Sequence, residues 1–266
     1  MTESTWKVAM DGDGVTISGD SFSLTTNSSD PGNLASVVSA LQGVSRATYG
    51  QYCGLSRAIE AVGERWGLLV IRDLLVNAKS SAELNHGLPG LPQNLLSMRI
   101  KEMAYCRIVE KAGTTDTHGG DQYQLTPYGR RLEDVLLAFG RWGSAMLAEP
   151  RPEDIITEDS MLVAMRAAFD PEAAAGKSAT FELRFGDIVI HVVVEDGQLE
   201  VGRGPLAGAP MIDPGPTLKD MLTRTLTVED AMATGTVKTT GDPNALDTFI
   251  SMFALPYQPL PQRSMV

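Results

Sequence analysis

The stretch between residues 80 and 126 leaves this chain little choice of local fold. Ser80-Ser81 supplies a helix cap before a short helical segment at residues 82–86, and Gly87-Leu88-Pro89-Gly90 is a turn. Pro92 suits the first turn of a second helix that runs to about residue 105, with Leu95, Leu96, Ile100 and Met103 on its inner side. Residues 107–111 then read as a strand, 113–121 as a polar Gly/Thr loop and 122–125 as a return strand. Upstream, the apolar residues of 55–76 fit one helical face, with Gly63 and Gly67 as weak points. Downstream, Thr126-Pro127 starts another helix, with Leu132, Val135, Leu136, Phe139 and Trp142 on one side.

Helix, short helix, turn, second helix and a two-stranded wing describe a winged helix-turn-helix. In that arrangement a short helix braces a second one whose exposed side can enter the major groove of DNA. Charge by segment agrees on where nucleic acid would be met. The chain has a net charge of −11, but residues 49–148 hold eleven basic and ten acidic groups. Residues 1–48 hold two basic and five acidic groups, and residues 149–266 hold nine and eighteen, so the last third would repel a phosphate backbone. No apolar run approaches the roughly 20 residues that span a bilayer, and the first residues lack a secretory pattern. Cys53 and Cys106 have no metal-ligand spacing and read as free, partly buried thiols. A cytoplasmic protein without membrane or cofactor is expected.

The middle segment resembles the HxlR family of regulators. The resemblance is carried by Cys53-Gly54-Leu55, Ile59-Glu60, Gly63-Glu64-Arg65-Trp66 and Leu68-Leu69-Val70-Ile71-Arg72-Asp73-Leu74. It continues through residues 87–103, beginning Gly87-Leu88-Pro89-Gly90, and through Tyr123-Gln124-Leu125-Thr126-Pro127-Tyr128-Gly129. What the resemblance implies is a homodimer on a pseudo-palindromic operator, with Ile59, Trp66, Leu136, Phe139 and Trp142 as dimer interface or core. Two recognition helices would then lie roughly 34 Å apart.

The base-reading candidates are Gln93, Asn94, Ser97, Met98 and Lys101. Gln and Asn can pair bidentately with adenine, although capping of the helix start is the plainer role for Gln93 and Asn94. Arg99 matches a family arginine expected at a phosphate or base edge, and Ser81 with Arg107 or Lys111 could fix register on phosphates. The loop at 113–121 has no Arg or Lys, unlike most wings of the family, so modest affinity and weak salt dependence are expected. Cys106-Arg107 also replaces the usual glycine turn before the wing.

Glu149-Pro150-Arg151-Pro152-Glu153-Asp154 reads as a linker. Beyond it lie a helix at 160–169, strands at 179–185, 187–194 and 199–202, a helix at 217–225, a strand at 235–239 and a helix from Asp242-Pro243 to about residue 252. This segment resembles the sterol-carrier-protein fold through Asp187-Ile188-Val189-Ile190, Gly235-Thr236-Val237 and the run from Gly241-Asp242-Pro243 to Ile250. A lipid-type pocket is implied, and Met161, Met165, Met221, Leu222, Met232, Met252 and Phe253 are either its lining or ordinary core.

The reading is therefore an α+β chain. It has an N-terminal β-hairpin and short helix (1–48), a winged helix-turn-helix (49–148), a linker (149–154), a sterol-carrier-type α/β sandwich (155–255) and a loose tail (256–266). His86, His118 and His191 are isolated, and no nucleophile elbow, phosphate loop or converging carboxylate pair occurs, so an enzyme is not indicated. The expected function is a dimeric regulator that binds double-stranded operator DNA and senses an apolar or aromatic small molecule. The alternative is a scaffold that has lost DNA binding and serves as a small-molecule binding protein, or as an accessory enzyme on a hydrophobic substrate.

Overall fold

The computed structural model describes the backbone of residues 7–11, 14–19 and 22–27 and the chain at 48–147, 151 and 154–257. The short helix expected after the N-terminal hairpin, most of the 149–154 linker and the end of the tail lie outside the described residues. The chain divides into two compact units, residues 1–63 and 64–266.

In the first unit, β1 (Lys7–Asp11), β2 (Gly14–Gly19) and β3 (Phe22–Asn27) pair antiparallel in chain order. This is one strand more than a hairpin. Helix α1 (Gly54–Val62) begins after Cys53, whose backbone is extended. Its Glu60 carboxylate accepts from the Tyr49 N–H at 2.8 Å and pairs with Arg57 at 2.7 Å.

In the second unit, α2 (Gly67–Val76) is separate from α1, so the single helical face expected over 55–76 is two helices. The reason is local. A Cβ on Gly63 would stand 2.6 Å from the Ile59 carbonyl oxygen, and Trp66 adopts a left-handed φ of 79° that no α-helix contains. The short strand β4 (Lys79–Ser80) leads into α3 (Ser81–Gly87). Ser80 is the cap, in a reciprocal box: its N–H donates to Glu83 at 2.6 Å and its hydroxyl accepts from the Glu83 N–H at 3.3 Å.

The second helix of the motif, α4 (Gln93–Tyr105), buries Leu96, Ile100 and Met103, as expected; Leu95 is only half-buried. The wing is β5 (Val109–Thr115) and β6 (Asp121–Leu125), with β6 also paired to β4 in a sheet ordered β4-β6-β5. The wing's base is locked to the next element. The Thr126 N–H and hydroxyl bond the carbonyls of Ile108 and Arg107, at 3.0 and 2.6 Å. A Cβ on Gly129 would stand 2.1 Å from the Ile108 oxygen, so only glycine fits there. The helix expected after Thr126 is broken into α5 (Pro127–Arg130) and α6 (Glu133–Ser144).

Helix α7 (Glu158–Ala168) follows, started by a second reciprocal box between Thr157 and Ser160. Then come β7 (Ser178–Phe185), β8 (Ile188–Glu195), β9 (Gln198–Arg203), β10 (Met211–Asp213), α8 (Leu218–Leu222), α9 (Val228–Ala233), β11 (Lys238–Thr240) and α10 (Ala245–Ile250). They form one five-stranded sheet, β11-β10-β7-β8-β9, in which β10 runs parallel to β7 and the other pairs are antiparallel. Strand β10 and helix α9 have no counterpart in the sequence reading. Each is too short to show a period.

Alternation along the strands decides the core. Phe181, Leu183, Ile190, Val192 and Val194 lie on one sheet face and are packed with Leu162, Met165, Met221, Phe249, Met252 and Phe253. Helix α7 is buried nearly all round, because α2 and α6 pack one side of it and β8 and β9 the other. The winged domain and the C-terminal domain therefore share a helix.

Candidate nucleic-acid interface

Helix α4 has a 13-residue length and one buried face, so its opposite face is fixed by the helical period. Asn94, Met98, Lys101 and Tyr105 follow at i, i+4, i+7 and i+11 and share a stripe pointing away from Leu96, Ile100 and Met103. Gln93 and Ser97 flank that stripe, and the Ser97 hydroxyl donates back to the Gln93 carbonyl at 3.0 Å. The Asn94 side-chain oxygen accepts from the Leu95 N–H at 2.9 Å. Tyr105, 83% exposed, is a residue that sequence reasoning passed over, although its spacing from Lys101 would have shown it.

Arg99 lies outside this stripe. Its guanidinium is mostly buried between Glu102 at 2.5 Å and Glu64 at 3.2 Å, so it braces α4 against the chain entering α2. Ser81 sits in the first turn of α3 and is half-buried. Arg107 is exposed in a left-handed conformation, φ 58°, which costs backbone strain that a glycine would avoid. Lys111, the one base on the wing strands, is paired with Asp121 across the β5–β6 ladder, and this pairing raises its pKa. The wing tip is organised by Asp116, whose side chain accepts from the N–H groups of His118 and Gly120 at 2.9 and 2.8 Å.

Helix α6 carries the second surface feature. Val135, Phe139 and Trp142 are exposed, the last two 58% and 60%, and their rings stack with centroids 5.6 Å apart. Met146 and Leu147, just beyond the end of this helix, are exposed as well. Leu136 is half-buried and belongs to the inward side of α6; Trp66 is half-buried with Arg65 over its ring at 5.4 Å; Ile59 is 40% exposed.

Of the seven residues read as pocket lining or ordinary core, five lie in the core. Met165, Met221, Leu222, Met252 and Phe253 are buried within it, Met161 is packed at its edge and Met232 is largely exposed. A groove of about 450 Å³ lies elsewhere, between α6, the end of α7 and β9, with Leu137, Arg141, Arg166, Phe169 and Val201 in its wall.

At the other end of α7 the two domains are joined by buried charge. Lys79, 6% exposed, pairs at 2.9 Å with Asp159, 10% exposed, and also donates to Asn77 at 2.9 Å. Arg203 of β9 bonds the other oxygen of Asp159 and reaches Glu158 at 3.3 Å. Next to this cluster, Asp73 of α2 is fully buried. Its Oδ1 is held by Arg72 at 2.7 Å, and its Oδ2 has no hydrogen-bond partner. Burial pushes the Asp73 carboxyl up to about 6, against the pull of Arg72. Lys79 directly precedes the cap of α3, so the C-terminal domain grips the chain next to the first helix of the DNA-binding motif.

Cys53 is exposed, contrary to the expected burial, and Cys106 is half-buried. The N–H of Ser56, then that of Leu55, at the start of α1 hold the Cys53 thiol below its ordinary pKa. Among the described residues no group of three or more His, Cys, Asp or Glu side chains is placed to hold a metal, and no helix is long and apolar enough to cross a membrane.

Residues 61–151 match the HxlR-like helix-turn-helix family model, and residues 155–259 match the alkyl sulfatase C-terminal model. The second differs from the sterol-carrier family expected for that segment. An uncharacterised HTH-type transcriptional regulator of Mycobacterium tuberculosis is 31% identical over 99 residues, 37% of this chain and 61% of that protein. The chain therefore spans less than two thirds of the length of such relatives. The HTH-type transcriptional regulator YodB of Bacillus subtilis is 28% identical over 105 residues, 40% of this chain and 91% of that protein. A quinone-bound structure of YodB covers 34% of this chain and 93% of its own at a TM-score of 0.30 and 28% identity.

Proposed function

We propose that this chain is a dimeric DNA-binding transcriptional regulator whose C-terminal domain responds to an apolar small molecule. The observation that carries the reading is the outward stripe of α4. Asn94, Met98, Lys101 and Tyr105 stand opposite a buried face, in a helix preceded by a braced short helix and followed by a wing. The match of residues 61–151 to a helix-turn-helix family supports it. The stacked Phe139 and Trp142 on α6 supply an apolar surface suited to a second copy of the chain. YodB is quinone-bound in one of its structures, and sensing of a small molecule is proposed here on a different domain. Residues 155–259 match the alkyl sulfatase C-terminal model, and ligand binding by that segment is part of the proposal. Binding rather than catalysis is assigned to the chain, acting on DNA in the cytoplasm.

Fluorescence-anisotropy titration against DNA from the gene's own upstream region, at two salt concentrations, tests the reading. Specific, salt-sensitive binding that an unrelated duplex lacks is expected. Lys101→Glu and Tyr105→Ala should each weaken it by about ten-fold, as loss of one good contact costs about 1–3 kcal/mol. One observation favours a scaffold that no longer binds DNA: Lys111 is already neutralised and the wing loop holds no base. Flat anisotropy at low salt would decide for that second reading and place the function in the C-terminal domain.

A further inference from the structure

We propose that the groove bounded by α6, α7 and β9 binds an anionic amphiphile, a small molecule with an apolar body and one carboxylate, with Arg141 as its counter-charge. The inference deepens the proposed sensing role and rests on that reading. At about 450 Å³ the groove falls within the range of small-molecule sites, roughly 300–1,000 Å³. Its floor is apolar, from Leu137, Phe169, Leu199 and Val201.

The charges around it do not cancel. Arg166 is paired with Glu133 at 3.1 Å, which leaves that edge neutral. Glu200 also borders the groove, but strand alternation turns its side chain to the other sheet face. Leu199 and Val201 pair with the buried Val194 and Val192, whereas Glu200 pairs with Val193 on the opposite side. Among the described residues the Arg141 guanidinium has no ionic or hydrogen-bond partner. The groove thus offers one uncompensated cation above an apolar floor, and Arg can bind a carboxylate through two parallel hydrogen bonds.

The position of the groove gives the ligand leverage. Glu133, Leu137 and Arg141 are spaced at i, i+4 and i+8 on α6 and face it, while Val135, Phe139 and Trp142 occupy the opposite side of the same helix. A molecule seated against Leu137 and Arg141 therefore presses on the helix that presents the proposed dimer surface. Regulation follows only if the ligand binds the two dimer geometries with different affinity.

The test is calorimetric titration of the full chain with octanoate and, as a neutral control of equal length, 1-octanol. Octanoate should bind about ten-fold tighter than octanol, the size of one charge-assisted contact. Arg141→Gln should abolish that preference and leave octanol binding unchanged, and Arg141→Lys should keep most of it. Val201→Trp, which fills the groove, should remove binding of both while the variant still unfolds cooperatively. Absence of octanoate binding, equal affinity for the two probes, or binding untouched by Arg141→Gln or Val201→Trp would overturn the site. The same samples are titrated with upstream DNA. DNA binding without the carboxylate preference refutes this inference alone, and octanoate binding without DNA binding refutes the regulator reading alone.

Discussion

Asp73 offers the sharpest quantitative check on the interior of the molecule. Its side chain is fully buried, Oδ2 lacks a hydrogen-bond partner, and its carboxyl is pushed up from 3.8 to about 6, mainly by burial. Asp159 nearby adds to the rise, while Arg72 and Lys79 oppose it. The sign follows from linkage. An acid whose folded pKa lies above its unfolded value takes up protons on folding, so its contribution is neutral below pH 3.8. It becomes destabilising as pH rises from 3.8 through 6 and is constant above that. At one pKa unit per 1.36 kcal/mol, the penalty of the charged form is about 3 kcal/mol at pH 8 and about 2 kcal/mol near pH 5.

Asp73→Asn keeps the shape of the neutral acid and removes the titration. Urea unfolding of both proteins at about pH 8 and about pH 5.2 should show the variant gaining roughly 1 kcal/mol over wild type at the higher pH relative to the lower. The Arg72 attraction acts on the charged form only and is already contained in the pKa of about 6, so the expected difference includes it. A carbon-13 titration of the wild-type carboxyl should give a midpoint near 6, set by the same burial. A pH-independent offset between the two proteins, or a midpoint at or below 4, would refute the argument from desolvation.

Breaking the joint between the domains should be costly. Lys79→Met leaves buried Asp159 with Arg203 as its remaining cation and should destabilise by about 3 kcal/mol, the low end for breaking a buried pair, while Lys79→Met with Asp159→Leu should cost less than the sum of the two single changes; additive losses in a double-mutant cycle would show that the pair does not couple. Trp142→Asp should convert the proposed dimer to a monomer in sedimentation, because a charge replaces half of a stacked aromatic pair at the exposed face; an unchanged dimer mass would place the dimer surface elsewhere, and a monomeric wild type would refute the dimer. Iodoacetamide should label Cys53 before Cys106, with a rate midpoint below that of a free thiol, because helix amides favour the thiolate; mass spectrometry that finds Cys106 labelled first would contradict this.

Much of the architecture could be read along the chain because the relevant signals are local. The Ser80 box, the turn before Pro92, the apolar period of α4 and the alternation of β7 and β8 all depend on residues within one or two turns of each other. Errors arose where a local pattern was ambiguous. The apolar period continues across Gly63 to Trp66, yet Trp66 leaves the helical conformation, and three-residue β10 is too short to carry a pattern. The stripe on α4 was legible as well, apart from Tyr105. The fate of Arg99 was not, since Glu64 reaches it from 35 residues away.

By itself the sequence determined most of the elements and their order, the acidic balance of the last third and which helix presents polar residues outward. Only the tertiary structure decided that Met165, Met221 and Met252 are core, that α7 is shared by two domains, and that Asp159 meets both Lys79 and Arg203. The groove under Arg141 was decided there too. The physical reason is range: hydrogen-bonded periodicity and capping act over a few residues and leave a trace at fixed spacing. Contacts between distant segments depend on the path of the whole chain, and a buried lysine looks in sequence like any solvated one.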